Sequence, residues 1–325
     1  MGRVRRVRIE TPSRLHLGLY NVLSDEGKLF GSIGVAVEPP NAVVEAVECD
    51  GAPDIRFANR TPYDLGDVVE RVRRGVSGVD RCVEVRFLQS PPRNVGFGST
   101  TQLSLAAAVA VHKVMGIDPD VPSLALRMGR GRISGIGVWV FQYGGFVVDG
   151  GRFSEESMAR HVSVLLARIA LPETWRFVVV LPRGVKGPSE AEEDWYRRLE
   201  PMERGLSREL AYLVLNFLMP AAALGDAEVF GRALTKIQRL VGQYFSRYQG
   251  GVFCCRETSV AVEALLESGA YGAGQSSWGP IAYGLVLGEG MAHDVAQGVE
   301  KRLEREGIDA EIMVVKPANH GARAI

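Results

Sequence analysis

Four short stretches of this sequence carry residue types that could do chemistry. The densest is Pro91-Pro92-Arg93-Asn94-Val95-Gly96-Phe97-Gly98-Ser99-Thr100-Thr101-Gln102. Gly96 and Gly98 allow a backbone to approach a ligand closely. Ser99, Thr100 and Thr101 offer hydroxyls and a cap for a following helix, whose first-turn N–H groups attract phosphate or carboxylate. The stretch reads as an anion site and is silent on the reaction. It lacks the Gly-Lys-Ser/Thr of a P-loop and the spacing of a dinucleotide fingerprint. A second stretch, Gly129 to Gly137, sets Arg130, Arg132 and Ser134 among glycines, a pattern too irregular for a regular element. The two arginines suit a phosphate or a carboxylate. In a third, Ser13-Arg14-Leu15-His16-Leu17, strand alternation puts Arg14 and His16 on one face. That pair fits an anion or acid/base site, and equally a solvent-facing edge. The fourth, Gly272 to Pro280, presents Ser276, Ser277 and Trp278 before a strand.

The elements that must position these stretches follow from hydrophobic period. Val4 to Glu10 and the run after Pro12 read as strands, Asn21 to Gly34 as a polar loop, and Val35–Val37 and Ala42–Val47 as two more strands. Leu65 to Val76 reads as an amphipathic helix with an exposed cluster of Arg71, Arg73 and Arg74. Cys82 to Leu88 is a strand entering the central loop, and the Ala-rich Leu103 to Met115 is the helix leaving it. Val121 to Met128 is helical. Val138–Phe141 and Gly145–Asp149 read as a hairpin closing the first half near Gly150-Gly151. Met158 to Ala170 is a connection. Then come a strand at Trp175–Leu181, a loop at 182–190 running into an acidic helix start, and helices at Glu203–Leu224, Ala227–Tyr244 and Cys255–Ser268. A strand at Ile281–Leu287, a helix at His293–Glu306 and a strand at Glu311–Val315 complete an α+β pattern.

Composition narrows the function classes. Lys plus Arg equals Asp plus Glu at 38 each, so no global charge draws the chain to nucleic acid or anionic membrane. No stretch is long and apolar enough to span a bilayer, and the opening Met1–Arg8 lacks the apolar core of a signal peptide. Cys49, Cys82, Cys254 and Cys255 lack metal-ligand spacing, and we read them as reduced, in a cytoplasmic protein. No HExxH-type histidine pair is present, so no metal-ligating residues are assigned. At 325 residues the chain has room for two domains, placed at 1–170 and 171–325.

The order of the loops resembles the GHMP superfamily of small-molecule kinases along essentially the whole chain. The resemblance implies an N-terminal α/β domain like domain 2 of ribosomal protein S5 and a C-terminal ferredoxin-like α+β sandwich. Where many of those kinases carry a catalytic aspartate, shortly after Ser134-Gly135, this chain has Gly137, which cannot take a proton from an alcohol. Gln102, Arg130-Gly131-Arg132 and Trp278-Gly279-Pro280 depart from the kinases. With Ser13–Leu19 and Gly144–Gly151 they resemble the β-ribofuranosylaminobenzene 5′-phosphate synthase family, an archaeal non-kinase branch. That resemblance implies phosphoribosyl pyrophosphate condensing with para-aminobenzoate or para-hydroxybenzoate. Carbon dioxide and pyrophosphate are released, in a committed step toward methanopterin.

On this reading Gly96, Gly98, Ser99, Thr100, Thr101 and Gln102 would bind phosphates, with Arg130, Arg132, Ser13 and Ser134 around them. Arg14 and His16 would meet the benzoate carboxylate or the leaving group, and Ser276, Ser277 and Trp278 would close over the ligands. Arg14, His16 and Arg132 are the candidate catalytic residues. Magnesium is expected to arrive on the pyrophosphate, pyridoxal phosphate is not required, and partners are expected to be small molecules and a second subunit. An ATP-dependent kinase of a small alcohol is the alternative enzyme. A nucleic-acid-binding module is the non-enzymatic one, disfavoured by the zero net charge.

Overall fold

The computed structural model describes residues 5–24, 27–185 and 198–325. The acidic helix start expected after residue 188 lies outside them. The N-terminal half is built on two long strands, β1 (Arg6–Leu23) and β2 (Leu29–Cys49), paired antiparallel. The expected loop at Asn21–Gly34 is therefore strand up to Leu23 and again from Leu29 onward. Leu29, Phe30 and Ile33 are buried, and tertiary burial overrides the polar, glycine-bearing look of the segment. The register shifts at three places along β1, one between Thr11 and Ser13 opposite Pro39-Pro40, another between His16 and Gly18. These irregularities bend the strand and re-aim its side chains.

The sheet continues through β3 (Asp54–Asn59), which runs parallel to β4 (Cys82–Gln89), and β4 pairs with β2. Between them lies α1 (Gly66–Gly75). Cys49 and Cys82 face each other in the β2–β4 ladder with Cα atoms 5.0 Å apart and form a disulfide. This corrects the reading of all four cysteines as reduced, because the pairing that brings them together is not visible in their spacing. Cys254 and Cys255 carry free thiols.

Beneath the sheet runs α2 (Ser99–Val114), nearly every residue of which is buried, with α3 (Val121–Arg127) and α4 (Ile136–Tyr143) beside it. α4 replaces the first strand of the expected hairpin. A short apolar run fits helix and strand equally, and here it buries Ile136 and Val140 beside Ala36 and Val147, and Val138 and Phe141 against the α2 side. β5 (Phe146–Asp149) pairs with β2 and with β6 (Leu165–Ile169), with α5 (Glu155–Arg160) between.

The chain then enters a second antiparallel sheet. In space its order is β10 (Ala310–Pro317), β7 (Trp175–Pro182), β9 (Ala282–Leu287) and β8 (Gly272–Gln275). Two-sided burial follows from β7. Trp175, Phe177 and Val179 face α6 (Arg204–Leu213) and α8 (Ala227–Gln249), which flank a π-helical turn, Val214–Leu218, and α7 (Met219–Leu224). Val178 and Val180 face α9 (Arg256–Glu267) and α10 (Gly288–Arg305). β10 also pairs with β2 through Lys316 and Pro317, which joins the two sheets, and β11 (Arg323–Ala324) pairs with β1. One apolar cluster runs from Leu15, Phe30 and Phe146 to Trp175, Phe230 and Tyr283, so the halves share a core. Among the described residues no helix is long and apolar enough to cross a membrane.

Candidate active site

The four chemistry-bearing stretches meet at a single cavity of about 580 Å³ between the halves. Its floor is the central loop. Gly96 and Gly98 have φ of +125° and +70°, where a side chain is strained. A Cβ on Gly98 would lie 2.8 Å from Arg14 Cγ, and one on Gly96 would lie 2.9 Å from the Ser276 carbonyl oxygen. The loop therefore touches β1 on one side and the 276–279 turn on the other, and only glycine fits both contacts. Gly98 occupies the cap position of α2 with no side-chain cap, so Ser99, Thr100 and Thr101 fall inside the first turn of the helix. Their hydroxyl-bearing side chains line the cavity.

Arg14 donates through Nη1 to the Gly96 carbonyl at 2.6 Å, and its backbone N–H donates to Phe97 at 3.0 Å, which stitches β1 to the loop. Arg130 donates to Thr101 Oγ1 at 2.8 Å. Arg132 lines the cavity and is exposed. Arg71 and Arg198 join them, so five arginines and no aspartate or glutamate line the cavity among the described residues. The opposite wall is aromatic. Phe245, Tyr248, Phe253 and Trp278 line it, and Trp278 packs edge-to-face on Phe245 at 5.4 Å. The expected C-terminal contributors Ser277 and Trp278 are thus in place, while Arg71, Arg198, Phe245 and Tyr248 were missed. Arg71 stood in a helical surface cluster and the two aromatics just past the expected end of a helix at Tyr244, which runs on to Gln249, and only folding turns them to the cavity.

Three expected ligand residues do not line the cavity. The Ser13 hydroxyl donates to the Pro40 carbonyl at 2.6 Å and closes the β1–β2 irregularity. Gln102 accepts from the Thr11 hydroxyl at 2.7 Å and donates to the Gly137 carbonyl at 2.8 Å, tying α2 to α4. Ser276 accepts from His16 N–H at 3.0 Å and donates to the Gly96 carbonyl at 2.7 Å, joining three of the stretches. All three side chains are buried and spent on protein partners. A Cβ on Gly137 would meet Thr101 at 3.1 Å, so the glycine lets α4 sit against α2.

His16 is neither exposed nor charged. Burial, and then the charge of Arg14, lower its pKa to about 3. Gly18 N–H donates to Nδ1 at 3.3 Å, so Nε2 carries the proton and donates to Ser134 Oγ at 3.2 Å. His16 thus works as a neutral donor at the cavity wall. Behind it lies Asp149, missed as a functional candidate because it reads as the end of a hairpin strand, Gly145–Asp149.

Among the described residues the cavity's donor set does not fit a magnesium ion held by the protein: no carboxylate of theirs lines it, and they form no cluster of three metal-ligating side chains.

No family model matches the chain. A protein of Methanothermobacter thermautotrophicus named β-ribofuranosylphenol 5′-phosphate synthase is 32% identical over 85% of this chain and 87% of its own. One of the same name from Archaeoglobus fulgidus is 28% identical over 97% of this chain and 98% of its own. A homoserine kinase of Pyrococcus abyssi is 26% identical over 90% of this chain and 94% of its own. Among solved structures, a homoserine kinase from Cytophaga hutchinsonii aligns with a TM-score of 0.71 at 17% identity, over 98% of this chain and 97% of its own. The mevalonate pyrophosphate decarboxylase of Streptococcus pyogenes aligns at 0.69 and 13% identity, over 97% and 98%. At those identities the structures bear out the two-domain GHMP fold and leave the reaction open.

Proposed function

The chain belongs to the β-ribofuranosylphenol 5′-phosphate synthase family, and from that premise we propose that its cavity joins phosphoribosyl pyrophosphate to para-hydroxybenzoate with release of carbon dioxide and pyrophosphate. The observation that carries this is the two-walled cavity, five arginines on one side and an aromatic wall on the other. The donor has two highly charged ends, and arginine suits such groups best. The acceptor is a flat ring, which aromatic side chains hold by edge and face. The names of the archaeal relatives specify a phenol, which favours the hydroxybenzoate over the aminobenzoate.

The reaction needs pyrophosphate to leave the anomeric carbon while positive charge builds on the sugar. A ring carbon then attacks, and carbon dioxide leaves that same carbon. The work left to the protein is alignment and charge stabilisation. In this proposal the α2 N-terminus with Ser99, Thr100 and Thr101 receives the pyrophosphate. Arg130 and Arg132 close on it, and Trp278 and Phe245 hold the ring. Any magnesium would travel with the pyrophosphate, and no step depends on a metal site of the chain.

The test is release of labelled carbon dioxide from carboxyl-labelled para-hydroxybenzoate. It should require phosphoribosyl pyrophosphate. Arg132→Ala should lower kcat/KM by about 10²–10³, the loss seen when a preorganised charge-stabilising donor is removed, with an unchanged melting curve. ATP-dependent phosphorylation of a small alcohol, without carbon dioxide release, would replace this reading with a kinase.

A further inference from the structure

The transfer reading leaves one buried feature without a role. Asp149, at the end of β5, is fully buried. Its Oδ1 accepts from the N–H groups of Ser32 and Gly151, each at 3.2 Å, and from the Ser163 hydroxyl. Its Oδ2 accepts from Gly135 N–H at 2.9 Å and from the Ser32 hydroxyl. A carboxylate only accepts, so the Ser32 proton points at it. Ser32 Oγ then offers a lone pair to the Ser134 hydroxyl, 2.7 Å away. Ser134 Oγ receives Ile136 N–H and His16 Nε2–H, both at 3.2 Å. The hydrogens of this network all point from the cavity toward Asp149. Of the three relay residues only Ser134 lines the cavity. The two bonds into it are long, so a substrate hydroxyl can displace one of them.

We propose that Ser134, Ser32 and Asp149 form a proton relay that takes the hydroxyl proton of the phenolic acceptor as the carbon–carbon bond forms and returns it as carbon dioxide leaves. The proposal rests on the transfer reading and adds to it where the proton goes. As the ring carbon bonds to the anomeric carbon, the bond to pyrophosphate breaks and carries its electron pair away. The phenol O–H proton passes to Ser134, the Ser134 proton to Ser32, and the Ser32 proton to Asp149. The ring becomes a neutral dienone that still bears its carboxylate. The carbon–carboxylate bond then breaks, its electron pair restores the aromatic ring, and the oxygen takes the proton back through the same three groups. Without the relay, the attacking phenol would have to form a protonated dienone, a very strong acid. An amino group, by contrast, stabilises the ring cation with its own lone pair and needs no base. Ser134 is the catalytic residue here, while Ser32 and Asp149 act through it.

The test compares acceptors in the purified full-length enzyme, with carbon dioxide release as the readout. Ser32→Ala removes the middle of the relay from outside the cavity. It should lower kcat for para-hydroxybenzoate by about 10²-fold, the usual size of a lost acid–base step, with little change in KM. The loss should shrink toward unity for an acceptor that needs no base, either a ring-fluorinated hydroxybenzoate already ionised at the assay pH or para-aminobenzoate. Ser134→Ala should show the same acceptor dependence, and Ser134→Thr should restore turnover of the phenol. This pair keeps the test open if Ser32→Ala folds poorly. An equal loss with every acceptor would make the network a structural pin for the 132–136 segment and overturn the relay, as would no loss at all. A wild-type enzyme that releases carbon dioxide from no acceptor would refute the transfer reading itself, and the relay with it.

Discussion

Glu45 and Asp149 are both buried carboxylates on strands of the N-terminal sheet, and they are satisfied in opposite ways. Glu45, 2% exposed on β2, accepts from Arg6 at 2.8 Å, Arg8 at 3.0 Å and Arg86 at 3.3 Å. Asp149 accepts only from hydroxyls and backbone N–H groups. Its cationic neighbour Arg152 turns its guanidinium to the carbonyls of His161 and Gly131 instead. Burial pushes the Glu45 carboxyl up, but hydrogen bonds and charge from Arg6 and Arg8 outweigh it and leave its pKa below the usual value. At Asp149 burial wins over the hydrogen bonds from Ser163, Ser32, Gly135 and Gly151, and the pKa is raised. A carboxylate caged by arginines stays ionised and holds strands together. One caged by neutral donors can exchange a proton, and this one connects to the cavity.

Neutralising each carboxylate in turn puts this contrast under the greatest stress. Asp149→Asn puts an NH₂ among N–H and O–H donors and should cost about 3 kcal/mol in denaturant unfolding, as expected for a buried group left with mismatched partners. A loss no larger than that of Glu45→Gln would mean the Asp149 cage is looser than its geometry. Glu45→Gln leaves three arginines that can turn to water, and should cost about 1 kcal/mol.

The pH dependence of these two losses should run in opposite senses. The Glu45 pKa is depressed in the fold, so its stabilisation is present above the unfolded value of 4.5 and fades as pH falls below it. The penalty of Glu45→Gln should therefore shrink in acid. The Asp149 pKa is raised, so its contribution is present below 3.8 and is lost as pH rises through the folded value. The penalty of Asp149→Asn should shrink as pH rises. His16, held neutral with a pKa of about 3 against 6.5 unfolded, adds a loss of stability that begins as pH falls through 6.5 and is common to both variants. Melting curves of the three proteins between pH 3 and pH 8 would check these signs, using a window on the order of the unperturbed carboxylate and histidine values.

Much of the site is legible in the order of residues. Arg14, His16, Gly96, Gly98, Ser99–Thr101, Arg130, Arg132, Ser134, Ser277 and Trp278 all line one cavity, because glycine, arginine and hydroxyl clusters mark loops that regular elements cannot absorb. Ser13, Gln102 and Ser276 belong to the same stretches yet serve the scaffold. A polar side chain on a ligand loop looks the same in sequence whether it faces ligand or backbone. Period alone places most helices and strands. The helix α4 escapes it, since an eight-residue apolar run carries no decisive period.

Local chemistry is written along the chain: three stretches rich in glycine and hydroxyls or arginines, a strand that shows Arg14 and His16 on one side, a missing aspartate at Gly137, and the order that points to the GHMP fold. Such features depend on neighbours a few residues apart. Folding alone brings Cys49 to Cys82, turns Arg71, Phe245 and Tyr248 to the cavity, and sets Asp149 two hydroxyls behind its wall. Each of these needs residues tens to hundreds of positions apart to be packed together. Contact at that range is a property of the folded core and is carried by no spacing along the chain.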